Sequence, residues 1–445
     1  MMGKTQILDL DHPGQQLHDL AVELFPICRS ITGDGVRATL DILSRYVPLS
    51  IHEVPSGTEV LDWKVPLEWS IREAYIIAPD GQRIVDFAHN NLHVVGYSRP
   101  VDAIMPLDEL QSHLHSLPDM PQAIPYVTSY YVEDWGFCLS HEVRARLPSG
   151  DYRVVIDSSL EDGSLTYGEL VIPGATSEEV FLSTYVCHPS MANNELSGPL
   201  VATALAQWLA SEPRRYTYRL VFVPETIGSI TYLSRHLRTL RSAVRAGFNL
   251  TCIGDDRSYS YVPSRAGNTL ADRASLCVLE NDYPDFLRYT FLDRGSDERQ
   301  YCSPGVDLPM VSVMRSKYRE YPEYHTSLDD LSLVTPSGLD GGFRVVRDCI
   351  ELIERNRTFV ATRLGEPQLG KYGLYPSLGT RDTHTSVAAM LNILAYADGQ
   401  QDLIDILRTV QVSPQIAYQV IDVLSGAGLI EEVAVGTHGT RVAES

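Results

Sequence analysis

The chain has 445 residues and a net charge of −21, with 44% apolar and 21% charged residues. This length predicts two or three domains, and the apolar content excludes a disordered chain. The acidic balance argues against a nucleic-acid binder, which would present a basic surface to phosphates. Residues 1–10 hold no signal-peptide core, and no segment reaches the roughly 20 apolar residues of a membrane span, so we expect a cytoplasmic protein without a membrane partner.

The predicted elements change in character three times along the chain. Helical spacing dominates residues 13–47, and short strands and turns follow from Ile51 to Pro173. From Val180 onward, strands of continuous apolar residues alternate with helices, which is typical of a largely parallel sheet covered on both faces. After Pro367, three helices and a short β segment follow in the order of a winged helix.

These changes predict an α/β protein with a mostly parallel mixed sheet, helices on both faces, a β-rich inserted domain and a C-terminal winged-helix domain. The main α/β domain takes residues 1–60 and 174–365, the inserted domain 61–173, and the winged helix 366–445. Residues 366–445 include nine acidic and four basic residues, and this net charge of −5 repels phosphate. We therefore expect no nucleic-acid partner and assign the winged helix to packing or to a homo-oligomer.

Polar residues that suit metal chemistry follow the predicted strands. In open parallel sheets the ligand site lies beyond the carboxyl ends of the strands. Histidine nitrogens and carboxylate oxygens bind zinc there, an open position holds water, and a nearby carboxylate takes its proton. The candidates at the strand ends and in two later loops are His188, Glu195, Glu225, Asp255, Arg294, Asp297, Glu298 and His325.

The order of these residues resembles the zinc aminopeptidases related to bacterial leucyl aminopeptidases. That family has a strand-end histidine, an Asp-Asn-x-Ser-Gly segment, a glutamate followed by Gly-Ser, a Ser-Asp-His segment and a final His-Thr before an aspartate. The matching residues here are His188, Asn194–Gly198, Glu225 with Gly228–Ser229, Ser296–Glu298, and Tyr324–Thr326 with Asp329. The resemblance covers roughly residues 15–60 and 175–360. The whole chain looks like a bacterial branch of this group with a β-rich insertion and a C-terminal winged helix.

Several acids of that family are replaced at the matching positions. The bridging aspartate falls on Asn194, and the third-strand aspartate falls on Thr251. The acid two residues after the first histidine falls on Ser190, and the pair of adjacent glutamates is reduced to Glu225 beside Thr226. The resemblance therefore implies one zinc ion rather than two, or a rearranged site that uses other acids.

The resemblance also implies a role for each candidate. The metal ligands would be His188, Glu195, Glu225, Asp255 and His325. Glu225 or Glu298 would be the general base, and Asp297 and Arg294 would contact the substrate. Structural alternatives stay open, since Glu225 could cap the next helix and Asp297 and Glu298 could pair with nearby arginines.

The expected activity is metal-dependent hydrolysis of an amide or peptide bond in a short peptide or an N-acyl metabolite. One alternative is a degenerate aminopeptidase fold that binds its ligand without hydrolysing it. A second is an acyl-transfer catalyst in a biosynthetic pathway. A third is a winged-helix regulator with a small-molecule sensor domain.

Overall fold

The computed structural model describes residues 5–374 and 381–433, without the side chains of residues 381–386. The helices are α1 (Gly14–Leu24), α2 (Asp34–Leu43), α3 (Leu107–Leu110), α4 (His141–Arg144), α5 (Ser197–Ala210), α6 (Ile227–Ala243), α7 (Leu270–Asp282), α8 (Glu298–Tyr301), α9 (Pro336–Arg355), α10 (Arg381–Tyr396), α11 (Leu403–Val410) and α12 (Pro414–Gly426). The strands are β1 (Ser50–Pro55), β2 (Glu59–Val60), β3 (Trp63–Lys64), β4 (Glu68–Ile77), β5 (Arg83–Asp86), β6 (Val101–Pro106), β7 (Leu114–His115), β8 (Phe137–Cys138), β9 (Asp151–Glu161), β10 (Ser164–Ile172), β11 (Glu179–Tyr185), β12 (Thr217–Val223), β13 (Val244–Leu250), β14 (Ser260–Val262), β15 (Leu287–Arg288), β16 (Met310–Met314), β17 (Thr358–Ala361), β18 (Asp398–Asp402) and β19 (Ile430–Glu432).

The chain divides into two compact units. The first takes Met1–Thr269 and Leu287–Arg344, and the second takes Leu270–Phe286 and Val345–Ser445. No helix in the described ranges is long and apolar enough to cross a membrane.

An eight-stranded sheet forms the centre of the first unit, in the order β1-β10-β12-β11-β13-β16-β14-β15. The four central strands β12, β11, β13 and β16 pair in parallel, whereas β10 pairs antiparallel with both β1 and β12, and β14 with β16. Every residue of β11 is buried, as expected for a strand covered on both faces. The predicted mostly parallel mixed sheet is confirmed.

Helices cover both faces of the central strand. Side chains alternate across a strand, so Ser183 and Thr184 of β11 point to opposite faces. The Ser183 hydroxyl lies 2.8 Å from the hydroxyl of Tyr301 in α8. On the other face, a Cβ added to Gly198 of α5 would come within 2.4 Å of the Thr184 hydroxyl. Glycine at the start of α5 therefore lets this helix lie directly on β11.

A four-stranded antiparallel sheet, in the order β5-β4-β9-β6, forms the core of the inserted domain. The next strand, β10, falls within the predicted insertion but lies in the main sheet between β1 and β12. The strand pattern of the sequence predicts that β10 is a strand, but it does not predict which sheet the strand joins. The partners that decide this lie more than a hundred residues away in β1 and about fifty residues away in β12.

The second unit holds a three-stranded antiparallel sheet in the order β18-β17-β19, together with the helices α10, α11 and α12. Arg273 of α7 forms ion pairs with Asp402 and Asp405, each at 2.7 Å, within this unit. β17 begins at Thr358, ahead of residue 366, where the sequence pattern changes. The small sheet therefore draws its central strand from the segment directly after α9.

Candidate active site

Two strand ends bring the first candidate residues together. β11 and β12 pair in parallel with Tyr185 opposite Val223, so the residues that follow them leave the sheet at the same edge. His188 comes from the first of these segments and Glu225 from the second. His188 Nε2 lies 3.4 Å from Glu225 Oε2. The sheet thus places an imidazole beside a carboxylate at its carboxyl edge.

A buried ion pair holds the other side of the His188 ring. His188 Nδ1 lies 2.9 Å from Glu195 Oε2, and Arg29 Nε lies 3.4 Å from Glu195 Oε1. Arg29 Nε also donates to the backbone carbonyl of His188 at 3.0 Å. Burial opposes a charge on the ring, but the hydrogen bond to Glu195 and the charges of Glu195 and Glu225 outweigh it and raise the pKa of His188.

Arg29 is a site residue that the sequence reasoning missed. Its side chain and that of Glu195 are both 0% exposed. Arg29 is 159 residues from His188 along the chain, so no local spacing connects them. The sequence does hint at this role, because Arg29 is the one charged residue between Pro26 and Gly33. A buried arginine needs an acidic partner.

Glu195 belongs to a single π-helical turn, Ala192–Leu196, that precedes α5. Asp329 holds the start of this turn, since its carboxylate accepts from the N–H groups of Ala192, Asn193 and Asn194 at 3.2, 2.6 and 3.0 Å. Burial raises the pKa of Asp329 to about 6, although these hydrogen bonds act in the opposite direction. The turn sets Glu195 behind the imidazole, a placement that suits an orienting carboxylate rather than the ligand that we predicted.

His325 approaches from the loop that follows β16. Its ring stacks on Tyr324 with centroids 3.9 Å apart and lies 5.5 Å from the ring of His188. His325 Nε2 is buried without a hydrogen-bond partner. Burial, together with the charges of His188 and Arg319, lowers the pKa of His325 to about 3. The ring is therefore neutral at pH 7, which is the form that binds metals.

Glu225 is the acid of this cluster that reaches solvent. Its side chain is 21% exposed, compared with 0% for Glu195. Burial raises the pKa of the Glu225 carboxyl, although the positive charges of His188 and Arg299 counteract the shift. A carboxyl with a raised pKa and an open side can exchange a proton with a bound molecule.

The two candidates predicted to contact a substrate differ in burial and make contacts of their own. Asp297 is buried, and its Oδ1 accepts from the Thr226 N–H and the Ser229 hydroxyl, both at 2.8 Å. Burial and the charge of Glu225 raise the pKa of Asp297 to about 7. Arg294 is exposed and donates to a backbone carbonyl three residues earlier at 3.2 Å. Asp297 therefore supports the start of α6.

Glu298, the alternative base, is buried with both oxygens occupied. Its Oε1 accepts from the N–H groups of Gly295 and Ser296 at 2.8 and 3.1 Å, and from the Tyr318 hydroxyl at 2.6 Å. Its Oε2 accepts from Asn249 Nδ2 at 3.0 Å. These contacts fit a structural acid that fixes the loop before α8, and they do not fit the base that we predicted.

Asp255, another predicted ligand, is also fully engaged. Its Oδ2 accepts from the Asn193 side chain at 3.0 Å and from the Ser316 N–H at 2.9 Å. Its Oδ1 accepts from the Ser316 hydroxyl at 2.8 Å and from the Arg257 N–H at 2.9 Å. The structure does not bring Asp255 to His188, because the chain after β13 turns its carboxylate toward the π-helical turn and the end of β16.

Neutral groups fill the positions of two missing acids. Asn194 Nδ2 donates to the Tyr185 hydroxyl at 2.7 Å, and that hydroxyl lies 2.5 Å from Thr251 Oγ1. All three residues are buried. Asn194 and Thr251 therefore bind a shared tyrosine and bring no negative charge that would favour a second cation.

The side of His188 that faces Glu195 suits a metal ion poorly. Cys187, His188 and Glu195 form the one group of three within the described ranges whose ligand atoms lie within 4.8 Å of one another. Arg29 lies against Glu195, and its positive charge would repel an ion there. Burial holds the pKa of the Cys187 thiol well above its usual range, whereas a metal needs the thiolate.

The opposite side of His188 offers a better donor set. His188 Nε2 faces Glu225, and the neighbouring His325 Nε2 is buried and unpartnered. Two imidazoles and one carboxylate are a ligand set that zinc uses in hydrolases. The bond from Glu195 to Nδ1 leaves Nε2 as the available nitrogen. The three side chains do not yet form a group within 4.8 Å, so sharing an ion requires a side-chain movement.

Known sequences match both parts of the chain. Residues 18–356 match the family model described as "Domain of unknown function (DUF4910)", and residues 357–432 match the model described as "winged helix-turn-helix". A protein from Clostridium acetobutylicum is 46% identical over 395 residues, which are 88% of this chain and 91% of that protein. Its name assigns it provisionally to polysaccharide biosynthesis and mentions an aminopeptidase-like domain. The predicted C-terminal winged helix is confirmed.

Solved structures share the fold. A crystal structure of a Clostridium acetobutylicum protein, provisionally named a peptidase, has 43% identity and a TM-score of 0.90, and the match covers 96% of this chain and 98% of that one. A zinc aminopeptidase from Bacillus subtilis has 12% identity and a TM-score of 0.56, with 79% of this chain and 96% of that chain covered. At this identity the second match shows the fold alone, and it confirms the predicted aminopeptidase-like architecture.

Proposed function

Because the chain belongs to the DUF4910 family and has an aminopeptidase-like fold, we propose that it hydrolyses an amide bond in a short peptide or an N-acyl metabolite. The observation that carries this proposal is the His188 ring held between Glu195 and Glu225, beside the unpartnered Nε2 of His325. We further propose that the site takes one zinc ion and that the enzyme works in the cytoplasm.

His188, His325 and Glu225 would hold the ion through the two Nε2 atoms and the carboxylate. When bound, zinc polarises a carbonyl and lowers the pKa of water. Glu195 fixes the imidazole of His188 through Nδ1, and Arg29 pairs with the other oxygen of Glu195. The neutral contacts of Asn194 and Thr251 with Tyr185 support one ion rather than two.

Glu225 would carry the proton in this reaction. It is partly open to solvent, its pKa is raised, and the alternative acid Glu298 has both oxygens occupied. Glu225 takes a proton from the attacking water at a carboxylate oxygen and returns it to the leaving amine.

The proposal is tested on the full chain, purified without chelators. Elemental analysis should find about one zinc per chain, and chromatography should detect a new amine after incubation with short peptides or N-acyl compounds. The variant His188→Ala, which removes a proposed ligand, is the matched control and should lose both. If the protein takes up no zinc, even when zinc is added, the proposal of a metal-dependent hydrolase is wrong.

Acyl transfer is the second candidate, because the relative from Clostridium acetobutylicum is named for polysaccharide biosynthesis. The same residues would then deliver the acyl group to an amine instead of water. Added amine acceptors distinguish the two reactions, since transfer gives a new amide and hydrolysis gives a free acid. Binding of the compounds with neither product would support a degenerate fold that only binds its ligand.

A further inference from the structure

One segment of the inserted domain, Ile124–Tyr126, runs along the loop that carries His325. The Ser327 N–H donates to the Ile124 carbonyl at 2.9 Å, and the Ile124 N–H donates to the Ser327 hydroxyl at 3.0 Å. The Tyr126 N–H donates to the His325 carbonyl at 2.9 Å, and Pro125 and Thr326 form an antiparallel bridge. We call this segment the insert clamp. It bonds the backbone on both sides of Thr326.

The His325 backbone needs such support. Its φ of +58° lies in the left-handed region, which residues other than glycine seldom adopt. A residue in this conformation keeps it only when the surrounding contacts hold it there. Two of the clamp's contacts, at His325 and Ser327, lie on either side of the bridge residue.

The Tyr126 ring adds a second restraint. It stands edge-on to the ring of His325, with centroids 5.1 Å apart, and its centroid lies 5.2 Å from that of His188. The Tyr126 hydroxyl lies 2.5 Å from the hydroxyl of Tyr130, a second residue of the inserted domain. One side chain from the insert therefore touches both imidazoles of the candidate site, and its outer end is fixed within the insert.

We propose that the inserted domain positions His325, through the backbone of the insert clamp and through the ring of Tyr126, which is a positioning residue. The use of this position in zinc binding rests on the proposed function. The holding of the loop does not, so the two ideas can fail separately.

Zinc titration of the full chain tests the ring. Tyr126→Ala removes both ring contacts, and we expect zinc affinity to fall roughly 10–100-fold, the usual cost of losing a residue that orients a ligand. Tyr126→Phe keeps the ring beside both imidazoles and loses only the contact with the Tyr130 hydroxyl, so it should bind zinc more tightly than Tyr126→Ala. Tyr131→Ala is the matched control, because Tyr131 is 54% exposed and its ring meets only Trp63 among the ring contacts of the described residues. Unchanged affinity in Tyr126→Ala, or a Phe variant as weak as the Ala variant, would overturn the proposal.

Hydrogen exchange of the metal-free protein tests the clamp without any zinc. The Ser327 amide, which donates to the Ile124 carbonyl, should be protected in the unchanged chain and in Tyr131→Ala. It should exchange roughly tenfold faster in Tyr126→Ala, because the ring no longer holds the His325 loop against the insert clamp. Equal protection in all three proteins would contradict the positioning role. If the unchanged chain binds no zinc but the Ser327 amide responds as expected, the proposed function is wrong and the positioning of the loop stands.

Discussion

At the scale of single residues, the site depends on a pair of charges that water does not reach. Taking two ions out of water is costly, and the cost is repaid only while each ion keeps its partner. Arg29 and Glu195 are both fully buried, and Glu195 in turn holds the ring of His188. Loss of either member therefore leaves an uncompensated charge next to the candidate ligand.

Arg29→Met should lower the free energy of unfolding by about 3–5 kcal/mol, because Glu195 would stay buried without its cation. The double variant with Glu195→Gln should lose less than the single variant, since neither charge remains. Urea unfolding of the four proteins of this double-mutant cycle measures the difference. A loss below about 1 kcal/mol in Arg29→Met would mean that the pair is not buried in solution.

Glu225→Gln tests the proton carrier. Turnover should fall by roughly 10²–10⁴, the usual contribution of general acid–base catalysis. Zinc content should be retained, because two imidazoles and the amide oxygen remain as donors. Turnover and zinc are measured on the same preparation. Normal turnover with normal zinc would mean that Glu225 does not carry the proton.

The buried imidazole of His325 should make the metal-free protein sensitive to acid. Its folded pKa is about 3, and an unfolded histidine titrates near 6.5, so the unfolded chain binds a proton that the folded chain does not. His325 therefore does not lower the free energy of unfolding above pH 6.5. Below that pH the free energy of unfolding falls as the unfolded chain takes up the proton, by about 2 kcal/mol at pH 5. His325→Gln should show a smaller loss of urea stability between pH 7 and 5. Equal losses of urea stability in the unchanged chain and in His325→Gln would mean that the imidazole of His325 is exposed to water in the folded protein.

At the scale of elements, the π-helical turn depends on an acid from a distant loop. The first N–H groups of a helical turn lack partners within the turn, and a carboxylate satisfies them. Asp329 supplies this carboxylate to Ala192, Asn193 and Asn194, and its other contact is the Tyr321 hydroxyl at 2.9 Å. The turn that carries Glu195 is therefore held from outside its own segment.

Asp329→Ala should lower the free energy of unfolding by about 3 kcal/mol or more, because the N–H groups of Asn193 and Asn194 would lose their acceptor and each such buried group costs about 1–3 kcal/mol. Asp330→Ala is the matched control, since the Asp330 carboxylate bonds only the nearby Ser332 N–H and hydroxyl among the hydrogen bonds seen in the described residues. Thermal and urea unfolding compare the two variants. Similar losses in both would show that the turn does not depend on Asp329.

The sequence predicted the elements better than their connections. Continuous apolar runs identified β11 and β12, and the ends of parallel strands meet at one edge, so the sequence alone suffices to pair His188 with Glu225. Glu298 and Asp255 also follow strands or loops of this kind, but their oxygens are taken by backbone and side-chain donors from other segments. Sequence spacing does not reveal such bonds, because the partners are set by the packing of the whole domain.

At the scale of the whole molecule, the chain carries a net charge of −21, which is unfavourable for binding DNA. Binding to DNA draws much of its free energy from counterions released by basic residues. The acidic excess of residues 366–445 opposes this release. We therefore propose that the second unit serves packing or the formation of a homo-oligomer.

The full chain should show no DNA binding at micromolar protein in about 0.15 M salt, because acidic surface repels the phosphates. Fluorescence anisotropy with labelled duplexes of mixed sequence measures this, and light scattering on the same samples gives the oligomeric state. Nanomolar binding that weakens as salt increases would refute the prediction and favour the regulator with a sensor domain.

The way β1 and β10 frame the inserted domain bears on how this enzyme-like chain arose. Pro55, the last residue of β1, lies opposite Ser164, the first residue of β10, and the Ser56 N–H donates to the Gly163 carbonyl at 2.9 Å. A chain without the residues between them would need only a hairpin turn to keep the sheet intact. A single genetic insertion at that turn could thus add a complete domain without disturbing either flanking strand. Such an event would have placed Tyr126 beside His188 and His325 in one step.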